Sequence, residues 1–208
     1  MRWPWSDRGP NEPEHGPVGH AGDSLGRARA SGSGPDADSR PVWLLDVDGV
    51  LNASRPGWGG DVAEGWARAD HGRFWIRWSP SVVRRMLEIE RTGGVEVRWA
   101  TTWVPWIQEI ERLLGLPDWP VAWDGPYEGL GTPAIPTPLR KVQTALHVVE
   151  QEQRPLVWTD DDSIPVHGPE HERIMSAGVP SLLVRPASRA GLQPHDLDAI
   201  EEFVRRYG

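Results

Sequence analysis

The chain has 208 residues, 38% hydrophobic and 25% charged, which suits one ordinary globular domain with its own core and some additional chain. A formal net charge of -8 argues against bulk nucleic-acid binding or adhesion to an anionic membrane, and the lack of cysteine removes disulfides, thiolate zinc sites and a thiol nucleophile. No run of about 18 apolar residues is present and the first residues have no apolar signal core, so a cytoplasmic protein without membrane spans is expected.

Residues 1–40 hold 7 Gly, 5 Pro and 5 Ser with almost no aliphatic side chains. Such a segment buries too little apolar surface to offset its ordering entropy, and a disordered tail is predicted, with Trp3 and Trp5 as candidates to dock elsewhere. The domain proper is expected over 41–208. VWLLDV (42–47) reads as a buried parallel strand. Residues 52–78 are rich in glycine and then run WARADHGRFWIRW, where Asp70-His71-Gly72 suits a hairpin turn. A flap over the strand ends and a plain surface hairpin fit that segment equally.

Ser79-Pro80 opens a helix whose apolar face is Val82, Val83, Met86 and Leu87, ending at Gly93. VEVRWA (95–100) is the second strand. Trp106, Ile107, Ile110, Leu113 and Leu114 repeat at helical spacing up to Gly115, and VAW (121–123) is a short third strand. Thr137-Pro138 begins a helix with Leu139, Val142, Leu146 and Val149 on one side. LVWT (156–159) and SLLVR (181–185) are strands four and five, separated by a helix over 169–177. Pro194 starts the last helix, with Leu197, Ile200, Phe203 and Val204 apolar.

Strands alternating with helices predict a Rossmann-like, three-layer α/β/α sandwich around a parallel five-stranded sheet, with a small flap or cap over 52–78 after strand one. Ligands of such sheets sit at the carboxyl ends of the strands. Asp46 and Asp48 follow strand one, Thr101 and Thr102 follow strand two, and Asp160, Asp161 and Asp162 follow strand four. All the acidic and hydroxyl candidates therefore fall on one edge.

Asp46-Val47-Asp48-Gly49 puts two carboxylates two residues apart. One suits attack on phosphorus or metal binding, the other proton transfer, and Gly49 lets the chain turn away sharply. A calcium loop would need a third ligand before the glycine and a later Glu, and a purely structural pair of loop aspartates is the bland alternative. Lys141 is the only lysine among 22 basic residues, which singles it out, since Lys and Arg differ at a chemical site. His167 and His171 are four apart but form no H-E-x-x-H motif. They and His71 are read as surface residues or as supports behind the site. The Trp-rich stretch from Trp58 to Trp78 suits either packing or stacking on a base or sugar.

LLDVDGVLN (44–52) resembles the first motif of the haloacid dehalogenase-like (HAD) phosphohydrolases. ATT (100–102) resembles the second motif, Lys141 the third, and Asp160-Asp161 after LVWT the adjacent-acid form of the fourth. The four occur in order over residues 42–162, and the fifth strand and final helix also suit that fold. The chain is further similar to HAD-like domains associated with RNA-repair enzymes, of small-cap type.

The resemblance implies a Mg²⁺-dependent phosphomonoester hydrolase acting through an aspartyl-phosphate. Asp46 would be the nucleophile, and Asp48 the acid and then base, its backbone carbonyl also on the metal. Thr101 and Lys141 would bind phosphoryl oxygens, with Thr102 replacing Thr101 if the strand runs one residue longer. Asp160 and Asp161 would complete a metal site shared with Asp46 and Asp48, and Asp162 either shares it or is solvated. Asp48 separates the chain from the dehalogenases. A small cap leaves an open site, so the implied partner is a phosphorylated small molecule or nucleic-acid end. The alternatives are a non-catalytic HAD-fold module binding metal or phosphate, and an interaction protein driven by its tail.

Overall fold

The four side chains of β1 (Val42–Leu45) are fully buried, as a continuous apolar strand requires when both faces of its sheet are covered. The computed structural model describes residues 39–56, 60–69, 72–123 and 137–208. All but the last two residues of the predicted tail, Trp3 and Trp5 included, lie outside the described residues, as do Trp58 and the Asp70-His71 pair. After β1 come β2 (Ala63–Ala69), β3 (Gly72–Trp78), α1 (Pro80–Gly93), β4 (Glu96–Trp99) and α2 (Ile107–Leu114). Then follow α3 (Thr137–His147), β5 (Leu156–Thr159), α4 (Pro169–Ser176), β6 (Ser181–Val184) and α5 (Pro194–Tyr207).

The main sheet is parallel with the order β4-β1-β5-β6, and Leu45 stands level with Trp99 on one side and Thr159 on the other. The mixed α/β architecture expected from the sequence is present, with four strands in place of five. Residues 121–123 contribute one parallel bridge, Val121 to Trp99. Trp99 N–H donates to Pro120 O and Ala122 N–H donates to Trp99 O, both at 2.9 Å, and Pro120 has no N–H to extend the ladder. β1 and β4 also stop short of their predicted ends, because the chain turns into the loops that carry the polar residues.

Alternation along β1 divides the core into two. Trp43 and Leu45 pack with Val82, Val83 and Met86 of α1, Ile107 and Ile110 of α2, and Leu197 and Ile200 of α5. Val42 and Leu44 pack on the other face with Ala145 and Leu146 of α3 and Ile174 of α4. Helix α1 starts as predicted, with Ser79 Oγ accepting from Val82 N–H at 3.4 Å, but it runs through Gly93 and is closed by Gly94 at φ +61°. Among the described residues no helix is long and apolar enough to cross a membrane.

β2 and β3 form a separate antiparallel pair. One face of it belongs to the core through Ala67, Ile76 and Trp78. Gly65 lies so close to α2 that a Cβ there would come within 2.6 Å of Leu113 Cδ1. The other face, with Trp66 and Trp75, is open to solvent.

Candidate active site

From β1 the chain crosses to β4 on one flank and later returns through β5 on the other, the kind of switch in strand order where open parallel sheets bind ligands. Asp46 and Asp160 directly follow β1 and β5, and Thr101 stands just beyond β4. All three are buried, and so is Lys141 on α3, at 3% exposure.

Lys141 Nζ donates to Asp46 Oδ2 at 2.6 Å and to Asp160 Oδ2 at 2.8 Å. The remaining oxygens are met by backbone. Val47 N–H donates to Asp46 Oδ1 at 2.7 Å, and the N–H groups of Asp162 and Ser163 donate to Asp160 Oδ1 at 3.0 and 2.7 Å. These backbone donors pin each carboxylate at the strand end that bears it. A lone lysine buried among apolar side chains would lose its proton; here it is held between two acids.

Burial pushes the Asp46 carboxyl up to about 7, against the pull of Lys141 and with repulsion from Asp160 adding to the rise. Burial alone would lower Lys141, but the attraction of Asp46 and Asp160 outweighs it and raises the ammonium above its ordinary value. Asp161 is also raised, by burial first, against a hydrogen bond from Ser188 and with repulsion from Asp162 and Asp160.

Asp46, Asp160 and Asp161 each bring a carboxylate oxygen within 4.8 Å of the others. Three carboxylates against one ammonium leave net negative charge, which suits a divalent cation that takes oxygen ligands. Gly49 makes the approach of Asp161 feasible: it has φ +73°, and a Cβ on it would lie 2.2 Å from Asp161 Cγ. The donor set therefore fits a hard metal ion such as Mg²⁺.

Asp48 does not join this oxygen cluster. Its carboxylate is exposed and clamped from two sides, with Asn52 Nδ2 donating to Oδ1 at 2.7 Å and Trp103 Nε1 to Oδ2 at 2.9 Å. Asn52 Oδ1 in turn accepts from Arg77 N–H at 3.0 Å, and the Trp103 ring meets Phe74 edge-on at 5.4 Å. Both clamps are thus backed by β3. Sequence reading missed both residues. Asn52, four positions after Asp48, was within reach of a local argument, whereas nothing in the pattern marked Trp103.

Thr101 is buried and its Oγ1 accepts from Trp103 N–H at 3.3 Å, while Thr102 is exposed. Asp162 is exposed and accepts from Ser163 Oγ at 2.8 Å. His167 is exposed, His171 Nδ1 lies 3.0 Å from Pro165 O, and neither belongs to the carboxylate cluster. His71 lies outside the described residues. Arg185, unmarked by the sequence, donates through Nη2 to Asp161 O at 3.1 Å.

No curated protein and no solved structure shows significant similarity to the chain. Residues 42–197, which include every strand of the main sheet and all the site residues just described, match the family described as the HAD domain in Swiss Army Knife RNA repair proteins. With that match spanning most of its length, and an acidic cluster at the ends of a parallel sheet, the chain belongs to this HAD domain family.

Proposed function

We propose that the protein is a Mg²⁺-dependent phosphomonoesterase that works through an aspartyl-phosphate on Asp46. The observation that carries this reading is the contact of Lys141 with Asp46 and Asp160 beside Asp161: a buried carboxylate with a fixed cation on one side and oxygen ligands for a second cation on the other. Family membership supports a phosphohydrolase-type activity. Residues 41–208 are then the catalytic domain and 52–78 its small cap, acting in the cytoplasm.

In the first step an Asp46 carboxylate oxygen forms a bond to phosphorus as the ester P–O bond breaks, and Asp48 gives its proton to the departing oxygen. Asp48, now a carboxylate, then takes a proton from water as the water oxygen attacks phosphorus. The bond between Asp46 and phosphorus breaks, phosphate leaves and both carboxyl groups are restored. Lys141 and the hydroxyl of Thr101, or of Thr102, hold the phosphoryl oxygens. Asp46, Asp160, Asp161 and the Asp48 carbonyl would hold Mg²⁺, which when bound offsets the charge of the carboxylates and of the phosphoryl group. The substrate is a phosphorylated small molecule or nucleic-acid end, and the RNA-repair setting of the family favours the latter.

The test is hydrolysis of an aryl phosphate and of phosphorylated oligonucleotides, with Mg²⁺ or with chelator, by the wild type and Asp46→Asn. Metal-dependent turnover lost in the variant is expected. Turnover that survives Asp46→Asn would overturn the mechanism, and no phosphate release from any substrate would leave a non-catalytic HAD-fold module as the better reading.

A further inference from the structure

The outer face of the β2–β3 hairpin carries chemistry that the proposed reaction does not use. The register pairs Glu64 with Arg77, Trp66 with Trp75 and Arg68 with Arg73, so these side chains share one side of the ribbon. One end of the ladder neutralises itself, with Arg77 Nε 2.7 Å from Glu64 Oε1. At the other end two guanidinium groups stand opposite each other, and Arg112 of α2 adds a third to the same open cleft of about 430 Å³, lined by Trp66, Arg68, Arg73, Glu109 and Arg112. Glu109 offsets only part of that charge, accepting from Arg112 Nη2 at 3.1 Å and from the Arg68 backbone N–H at 3.3 Å.

Trp66 and Trp75 continue this surface, 51% and 44% exposed, with ring centroids 4.8 Å apart in an edge-on arrangement. Like charges placed opposite each other destabilise a sheet, and exposed indoles forgo burial. An acidic peptide would answer the arginines and leave the indoles unexplained. An apolar protein surface would cover the indoles but strip water from the arginines without pairing them. Only a ligand that alternates anionic and flat aromatic groups satisfies both.

We propose that this face of the hairpin, Trp66 and Trp75 with Arg68, Arg73 and Arg112, binds single-stranded polynucleotide, its bases stacking on the indoles and its phosphates meeting the guanidinium groups. The chain's net charge of -8 confines this capture to the local basic face and makes it salt-sensitive. The same ribbon supports Trp103 through the Phe74 ring and Asn52 through the Arg77 backbone N–H, so strand capture and the Asp48 carboxylate share one structural element. Binding at this face does not depend on the hydrolase reading.

The experiment is fluorescence anisotropy with full-length protein and unphosphorylated, 3′-fluorescein-labelled oligouridylate and oligothymidylate, so no turnover is required. A labelled polyglutamate peptide of equal charge is measured alongside. Three phosphate contacts predict binding weakened about 15- to 20-fold between 50 and 200 mM salt. Arg68→Gln with Arg73→Gln should weaken binding at least about tenfold and flatten the salt dependence. Trp66→Ala with Trp75→Ala should weaken it about as much while leaving the salt dependence unchanged. Arg205→Gln with Arg206→Gln, on exposed residues of α5, should bind like the wild type. Binding of either oligonucleotide with this pattern supports the proposal, and the ratio between them reports the sugar preference. No binding at 50 mM salt, unchanged binding by both hairpin variants, or polyglutamate bound as tightly as the oligonucleotides would overturn it.

Discussion

Trp103 Nε1 donates to Asp48 Oδ2 at 2.9 Å, tying the exposed carboxylate of the first motif to the loop that follows β4. With Asn52 on the other oxygen, the Asp48 side chain has one orientation set by two donors. A proton-transfer group held that way needs no rearrangement during reaction, and freeing it by about an ångström is expected to cost rate rather than substrate affinity.

Trp103→Phe removes the N–H that holds Asp48 Oδ2, together with part of a buried ring. Steady-state kinetics on an aryl phosphate should show kcat lowered roughly 10- to 100-fold with KM nearly unchanged. Asn52→Ala should behave alike, and an unaltered kcat in both would remove Asp48 from the proton-transfer role.

Lys141→Met deletes the cation held between two buried carboxylates. Breaking a buried ion pair from one side is costly, and urea denaturation in chelator should show a loss of about 3 kcal/mol or more, with activity abolished. Saturating Mg²⁺ should recover part of the stability and none of the turnover.

The acid–base balance of Asp46 makes a signed prediction for the metal-free protein. Its carboxyl is raised from 3.8 to about 7, so between those values the folded state holds a proton that the unfolded chain releases. The stability contributed by that proton is complete below about pH 4 and is lost as pH rises through about 7, amounting to at most about 4 kcal/mol. Urea midpoints in chelator should therefore fall from pH 5 to pH 8 more steeply for the wild type than for Asp46→Asn. The same proton competes with the metal, so calorimetry should find Mg²⁺ affinity weakening below pH 7, toward tenfold per unit.

Gly49→Ala tests the cradle. At φ +73°, with a Cβ 2.2 Å from Asp161 Cγ, the substitution should cost about 1 kcal/mol in backbone strain and push the carboxylate aside. Thermal melts should register the small stability loss, and titration should register a larger drop in Mg²⁺ affinity. Equal affinity in both proteins would exclude Asp161 from the metal site.

Much of the site was readable because its logic is local. A run such as VWLLDV states that a strand is buried but overshoots its end by two residues, since β1 stops at Leu45, and an acid just past that end lies at the carboxyl edge of a parallel sheet. Asp46, Thr101 and Asp160 follow directly from three such runs, and Lys141 was marked by being the only lysine. The shortfall at 121–123 was local too, since Pro120 limits the ladder there. The extension of α1 through Gly93 shows the limit of punctuation by glycine, because Gly94 next to it takes the left-handed cap.

By itself, then, the sequence determined the parallel α/β class, the edge on which the acidic and hydroxyl side chains gather, and the polar residues standing just beyond each strand, since those follow from hydrophobic period and chain direction. The tertiary structure alone decided that Trp103, 55 residues from Asp48, would hold its carboxylate, that Asp161 would lie over Gly49, and that Trp66 and Trp75 would face water beside Arg68 and Arg73. Those relations depend on which side of a ribbon or loop meets its neighbour, and side-chain partners so far apart in the chain are chosen by packing, which no local pattern records.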